Sequence, residues 1–473
     1  MNATKTIRPT AATNQPPYAG IDTGATFKER YAAGKALREN CPREAHAAWK
    51  PAANRPDPVQ MVLASEQGRV AELLPLRHGR MVKTPFTFYR GAASTMASDL
   101  ASTPVSGMRV QCCGDAHLCN FGGFATPERK IIFSINDLDE SLPAPWEWDV
   151  KRLAASFVVA CRDKGIRDGA AKDIAATCVR SYRESMAEFS RMNKLELWYR
   201  ALGAEELMAD LDPARRKRIM KRIEKEKAKS RAEVMFPKLV GDQGGPPVIM
   251  DQLPTIFHVE GHRPGEIQKI MRDAMASYRE SLPHSVQGLL DHYELRDAVV
   301  KVVGVGSVGT LCWVFLFTAG DDEPLFLQVK EARASVLEPY AGASALSNHG
   351  ERVVNGYRLM QPASDMFLGW ARGPKRDFFI RQLRDTKISI LVDTLNRAEM
   401  DICATWCGKA LALSHARTGN AAALSGYMGN RDSFDRAIAA FSVAYADQNE
   451  SDHAALDRAV RSGKVKAVFE EAG

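Results

Sequence analysis

Gly304-Val305-Gly306-Ser307-Val308-Gly309 runs straight into Thr310-Leu311-Cys312-Trp313-Val314-Phe315-Leu316-Phe317, and this continuation decides how the glycines are read. A GxGxxG run opens a helix in a dinucleotide-binding βαβ unit, but forms the tip of a β-hairpin where it folds over nucleotide phosphates. The residues after Gly309 are rich in aromatic and β-branched side chains and suit a strand far better than a helix, so the hairpin reading wins. A second strand, Leu325 to Val329, leads to Lys330, with Ala319-Gly320-Asp321-Asp322-Glu323-Pro324 as the turn between the two. Taken alone, Lys330 reads as an ordinary surface lysine. Attached to the hairpin, it can reach the phosphates if a carboxylate on a neighbouring helix holds it. Glu351, within a helix expected from about Ser344 to Met360, is the expected partner. Glu338 is the alternative, and Glu331 is expected on the opposite face of the strand.

Upstream lies a second chemistry-bearing stretch, Gly114-Asp115-Ala116-His117-Leu118-Cys119-Asn120, with Ile135-Asn136-Asp137-Leu138-Asp139 shortly after it. Strand-like runs at Met108 to Cys112 and Lys130 to Ile135 bracket the first part, which puts it on a loop. Asp115 and Asn120 have the separation of the base and the metal-binding asparagine of kinases. The chemistry needs one carboxylate to orient an acceptor hydroxyl and an amide oxygen in the same tight loop to hold Mg²⁺. Asp137 is the expected second metal ligand, bridging Mg²⁺ to the β and γ phosphates, with Asp139 assisting. The nucleotide-clamping hairpin normally precedes these loops; here it comes after them.

These residues resemble the His-Gly-Asp-x-His-x-x-Asn and Ile-Asp-Phe signatures of the aminoglycoside phosphotransferase and choline kinase group, with Cys113 where that group has its first histidine. The resemblance implies that Asp149, in Trp148-Asp149-Val150-Lys151-Arg152-Leu153, binds the catalytic-loop backbone as an organiser. Over nearly its whole length the chain also resembles a bacterial family, domain of unknown function 2252. That likeness rests on Phe88-Tyr89-Arg90-Gly91, Cys113 to Gly122, Asn136-Asp137, Pro145-Trp146-Glu147-Trp148-Asp149, Lys301 to Thr310 and Ala444-Tyr445-Ala446-Asp447-Gln448. Together the resemblances imply an α+β, protein kinase-like two-lobed fold, circularly permuted, with mostly helical additions. From Val302 the elements keep kinase order through a hinge near Gln382 to Lys387 and a helix ending at about His415. The catalytic loop that should come next stands at Asp115 instead. New termini in exposed loops make such a permutation sterically reasonable.

The expected division is a disordered tail over 1–26, a helical segment over 27–107 and the catalytic-loop and metal-loop part of the helical lobe over 108–194. A mostly helical insertion over 195–297 comes next, with a loop at Gly241 to Pro247. The β-rich nucleotide-binding lobe over 298–387 has further strands at Met366 to Trp370 and Phe378 to Leu383, and the helical remainder occupies 388–473. A 45% hydrophobic, 26% charged composition is that of a globular protein, and no apolar run approaches the ~18 residues that cross a bilayer. The first residues lack the apolar core of a secretory signal, and nine scattered cysteines do not form a disulfide framework. Both fit a cytoplasmic protein with access to ATP.

The expected function is ATP- and Mg²⁺-dependent transfer of a phosphoryl group to a hydroxyl of a small molecule. Asp115 positions the acceptor, Asn120, Asp137 and Asp139 hold the metal, and Lys330 and the hairpin residues Gly304, Gly306, Ser307 and Gly309 bind the nucleotide. One alternative is a nucleotide-binding pseudokinase with a regulatory role. Another is an RNA-binding protein built on the basic run Arg215 to Arg231, although a charge run on a helix is usually a solvated face and no aromatics are interleaved for base stacking. Cys113, His117 and Cys119 do not have the spacing of a usual zinc site, Cys403 and Cys407 read as core, and His415 reads as a helix-end packing residue. Arg90 reads equally as a phosphate contact or as half of a structural ion pair.

Overall fold

The structure is a computed structural model and describes residues 24–209, 211–229, 240–241, 247–253, 255–258, 266–302, 304–320, 323–383 and 386–470. The expected tail lies outside the described residues up to 23, as does the interior of the loop expected at Gly241 to Pro247. Thr26, the last residue of that tail, already caps the helix Phe27–Ala36 by accepting from the Glu29 backbone at 3.3 Å.

Thirteen strands are described: β1 Arg109–Cys112, β2 Phe121–Ala125, β3 Ile131–Ile135, β4 Leu142–Pro145, β5 Val240–Gly241, β6 Val248–Ile249, β7 Ile256–Phe257, β8 Glu294–Lys301, β9 Cys312–Thr318, β10 Pro324–Ala332, β11 Gly369–Arg372, β12 Asp377–Gln382 and β13 Lys387–Ser389. The fold is α+β. Six strands form an antiparallel sheet in the order β11-β12-β10-β9-β8-β7. The glycine-rich run joins β8 to β9, so it does cross a hairpin. Alternation along β9 and β10 sends Phe315, Phe317, Leu325 and Leu327 to one face, against Tyr278, Leu282, Val286 and Leu290. Val314, Leu316 and Phe326 go to the other face, against Val299, Ile249 and Leu383. The helices Glu266–Ser281 and His284–Leu290 of the expected insertion are thereby part of the sheet's own packing.

Three element boundaries differ from expectation for local reasons. β8 starts at Glu294, well before the β-prone Val302, and runs to Lys301, and the Val302 N–H to the Thr255 carbonyl at 2.8 Å adds one more rung in the register of its pairing with β7. β11 begins at Gly369 rather than Met366 because Asp365 folds the chain into a turn, accepting from the Phe367 N–H at 2.9 Å. The helix expected from about Ser344 runs over His349–Met360, preceded by the short helix Glu338–Ala341, and is capped by Asn348, whose side chain accepts from the Glu351 N–H at 3.1 Å.

Away from this sheet the described chain is mostly helical. Trp146–Asp163, Asp168–Phe189, Arg397–Thr418 and Ser433–Arg461 enclose the largest core, with Trp146, Phe157, Tyr182, Leu411 and Phe434 fully buried. Cys403 and Cys407 belong to this core. A Cβ at Gly408 would stand 2.2 Å from the Cys178 carbonyl oxygen, so glycine is what lets these two helices close. β13, just after the end of the large sheet, pairs with β2, and β2 pairs with β3. Late and early parts of the chain thus share one small sheet.

The basic run lies on the helix Pro213–Lys229, with Arg231 outside the described residues. Arg222 donates to the Ser389 carbonyl and Arg216 to those of Met208 and Ala209, while Arg218 pairs with Glu399 at 3.5 Å. Among the described residues no helix is long and apolar enough to cross a membrane, and all nine cysteines are free.

Candidate active site

The loop after β1 is shaped by its glycine and by one buried carboxylate. Gly114 has φ +81°, and a Cβ there would lie 2.3 Å from the Glu140 carbonyl oxygen. Asp149, in the first turn of Trp146–Asp163, accepts from the N–H groups of Cys113 (2.6 Å) and Gly114 (3.0 Å), and from His415 Nε2 (3.2 Å). It ties down the backbone of this loop, and His415 braces it from behind. Next along the loop, Asp115 receives Arg152 on a single oxygen, Oδ1, with Nε at 2.7 Å and Nη2 at 2.5 Å. Arg152 is held in turn by Tyr89, whose hydroxyl donates to the Arg152 carbonyl at 2.7 Å and whose ring lies 4.6 Å beneath the guanidinium. The Asn120 side chain, on the cleft lining, donates to the Asp115 carbonyl at 2.8 Å, and among the described residues its amide oxygen accepts no hydrogen bond.

Asp137 and Asp139 come just after β3. The Asp139 N–H donates to Asp137 Oδ1 at 3.3 Å, and the Asp139 carboxylate is ion-paired with Lys330 from β10. Burial alone would raise the Asp137 carboxyl, but Lys330, the bond to Asp139 and then Arg381 hold it far below its ordinary value. Burial and the charge of Asp137 push Asp139 up to about 7 against the pull of Lys330. Asp139 Oδ1 is buried with no hydrogen-bond partner. Two carboxylates this close, one with an orphaned oxygen, form a donor set that a divalent cation would satisfy.

Asp115, Asn120, Asp137, Asp139, Gly304, Gly306, Ser307 and Lys330 all line one cleft of about 1150 Å³. Gly309 stands apart from it. With φ +85° it makes the turn at the base of the hairpin, and its carbonyl is tied to the Val70 N–H at 2.7 Å while Arg69 donates to the Val308 carbonyl at 2.6 Å. Glu351 is also not among the lining residues, and the expected Lys330–Glu351 pair is not made. One residue on, Arg352 turns inward with Val353, Tyr357 and Met360, donating to the carbonyls of Ser141 (2.7 Å), Asp139 (2.8 Å) and Arg333 (2.7 Å). Glu351 is rotated about 100° away from it around the helix. Glu331 is engaged by Arg376 at 2.6 Å and by the Leu311 N–H at 3.0 Å, and Glu338 by the Ser335 N–H at 3.1 Å.

A family model described as an uncharacterized protein conserved in bacteria matches residues 69–459. The chain belongs to this family, domain of unknown function 2252. No curated protein and no solved structure matches it. The match spans both the loop at Asp115 and the hairpin at Gly304, so the DUF2252 unit includes every residue of the cleft just described except those before Arg69.

Further cleft residues of this DUF2252 chain carry no sequence signal. Arg381 donates to Gln328 at 3.1 Å and to the Tyr357 hydroxyl at 2.9 Å. Lys387 has its ammonium pushed down to about 8 by desolvation among the cleft walls and then by Arg381. Arg69, Arg77 and Arg333 add positive charge near the hairpin. Single basic residues in unremarkable contexts cannot be told from surface charge before the chain is folded. The zinc reading finds no support among the described residues. The cluster of metal-ligand type is Cys112, Asp149 and His415, and Asp149 is already occupied by N–H groups while His415 Nδ1 is bonded to the Tyr182 hydroxyl at 2.9 Å. His117 is buried, and that burial holds it down to about 4, hence neutral.

Proposed function

We propose that this protein is an ATP- and Mg²⁺-dependent phosphotransferase acting on a hydroxyl of a small molecule, built on a kinase-like fold that is circularly permuted. The observation that carries this reading is the ion pair between Lys330 and Asp139 in the cleft that also holds Asp115 and Asn120. Support for the permutation comes from the two sides of the break. From β8 onward the chain supplies hairpin, lysine strand, helix, two strands and, through β13, the helix Arg397–Thr418. The end of that helix lies against β1, which leads into the catalytic loop: the Gln111 N–H donates to Thr418 Oγ1 at 3.3 Å. A kinase chain would continue across this contact.

Asn120 and Asp137, with Asp139, are the residues that would hold Mg²⁺, which supplies electrostatic screening of phosphate oxygens. Lys330 would neutralise the donor phosphates, and the backbone at Gly304, Gly306 and Ser307 would cover them. Because Arg152 occupies Asp115 Oδ1, Oδ2 is left to accept from the acceptor hydroxyl. The hydroxyl oxygen bonds to the γ-phosphorus as the bond to the β–γ bridging oxygen breaks, the electron pair leaves with ADP, and the hydroxyl proton passes to Asp115.

The test is a Mg·ATP-dependent rise in melting temperature, and then ATP consumption against a panel of hydroxyl compounds. The reading requires the shift in the wild type and its loss in Lys330→Ala and Asp137→Ala. Binding with no consumption across the panel would instead support the pseudokinase reading.

A further inference from the structure

The chain around the helix Pro85–Gly91 and the C-terminal end of Trp146–Asp163 give the cleft a wall carrying more positive charge than its ion pairs balance. Lys83, Arg90 and Lys164 line it, and among the described residues none of the three has a carboxylate within ion-pair distance; Lys164 donates to the Asp393 carbonyl at 2.9 Å. Of the acids beside this wall, Asp115 is committed to Arg152 and Asp163 to the Phe86 N–H at 3.1 Å, while the Asp393 carboxylate, which also lines the cleft, is ion-paired with none of the three cations among the described residues. Arg90 occupies the decisive place. It comes directly after Tyr89, which braces the arginine that grips Asp115. Its own carbonyl oxygen lies 3.2 Å from where a Cβ on Gly306 would stand, under the tip of the hairpin. Its charge is felt by His117 and Cys119 on the catalytic loop. The structural ion pair is therefore not made, and Arg90 Nε is buried with no hydrogen-bond partner. A buried N–H left unpaired costs ~1–3 kcal/mol, and a guanidinium recovers that most fully on an oxyanion.

We propose that the acceptor bears a phosphate group, held by Arg90 with Lys83 and Lys164, which presents a hydroxyl of the same molecule to Asp115. This rests on the phosphotransferase reading for its chemistry, but the anion site is a separate claim. The donor phosphates already have Lys330 and the hairpin, whereas the Arg90 side chain, whose backbone abuts the hairpin tip, directs its charge to His117 and Cys119 of the loop that carries Asp115. A single monoanionic group would leave most of this wall uncompensated; a phosphate dianion suits three cations.

The experiment titrates inorganic phosphate into wild-type protein, with and without saturating Mg²⁺ and a non-hydrolysable ATP analogue, and monitors binding calorimetrically. Saturable phosphate binding in the presence of the analogue is expected. Arg90→Gln should weaken it at least tenfold with the analogue's affinity unchanged, and Lys330→Ala should do the reverse. Arg90→Lys, which keeps the charge and loses the fork, should fall between and serves if the glutamine variant does not fold. No phosphate binding, equal binding in wild type and Arg90 variants, or loss of the analogue in Arg90→Gln would each overturn the proposal. If the analogue fails to bind the wild type, the phosphotransferase reading fails, and the titration without analogue still decides the anion site.

Discussion

Lys330 of the hairpin half is ion-paired with Asp139 of the loop half, so the two separated motifs meet at one carboxylate. Lys330 is buried, and the charges of Asp139 and Asp137 raise its ammonium above its ordinary value despite that burial. Lys330→Ala should weaken Mg·ATP binding at least tenfold. Because both partners share one interaction, Lys330→Ala and Asp139→Asn should couple in a double-mutant cycle by about 1–3 kcal/mol, measured by urea unfolding. Strictly additive losses would show that the pair is not an energetic unit.

Asp115 and Asp137 should separate chemistry from binding. Asp115→Ala should lower turnover by about 10²–10⁴-fold while leaving Mg·ATP affinity largely intact, since no donor contact is assigned to it. Asp137→Ala should remove turnover and Mg²⁺-dependent nucleotide binding together. Steady-state kinetics and a binding isotherm on the same preparations check both, and retained activity in Asp137→Ala would sink the metal assignment.

The parts of this site that are legible in the sequence are those fixed by local spacing. The β-rich run after Gly309 distinguishes a hairpin from a helix, and the separation of Asp115 from Asn120 defines a loop whose amide and carbonyl do bond at 2.8 Å. The partner of Lys330 is not legible. Choosing Glu351 requires knowing which face of His349–Met360 turns inward, and that face is set by Val353, Val354, Tyr357 and Met360 entering the core and by Arg352 reaching three carbonyls from different parts of the chain. Gly309 escapes a sequence reading for a related reason: its positive φ serves the turn and its tie to Val70, neither visible without the N-terminal helices.

Asp149 should matter to stability as much as to activity. Asp149→Ala leaves the Cys113 and Gly114 N–H groups buried without an acceptor and strips His415 of its partner. A cost of about 3 kcal/mol is expected from urea unfolding. Since Asp149 touches the loop backbone and not the cleft, a variant that loses turnover while keeping full stability would contradict the organising role.

Stability should fall on mild acidification through two histidines buried in the neutral form. Burial holds His117 down to about 4 and His46 down to about 3, and the Nδ1 atoms of both are buried without a partner. Unfolded histidine protonates near its ordinary 6.5, so from there down to the folded value the unfolded state binds more protons and gains on the native one. Each site should cost about 3 kcal/mol by about pH 4, and none of this loss is present above about pH 7. Melting temperature measured from about pH 7 to about pH 5 should therefore decline in the wild type, and more shallowly in His117→Asn and His46→Asn. An unchanged slope in both variants would mean that these histidines are not what couples the fold to pH.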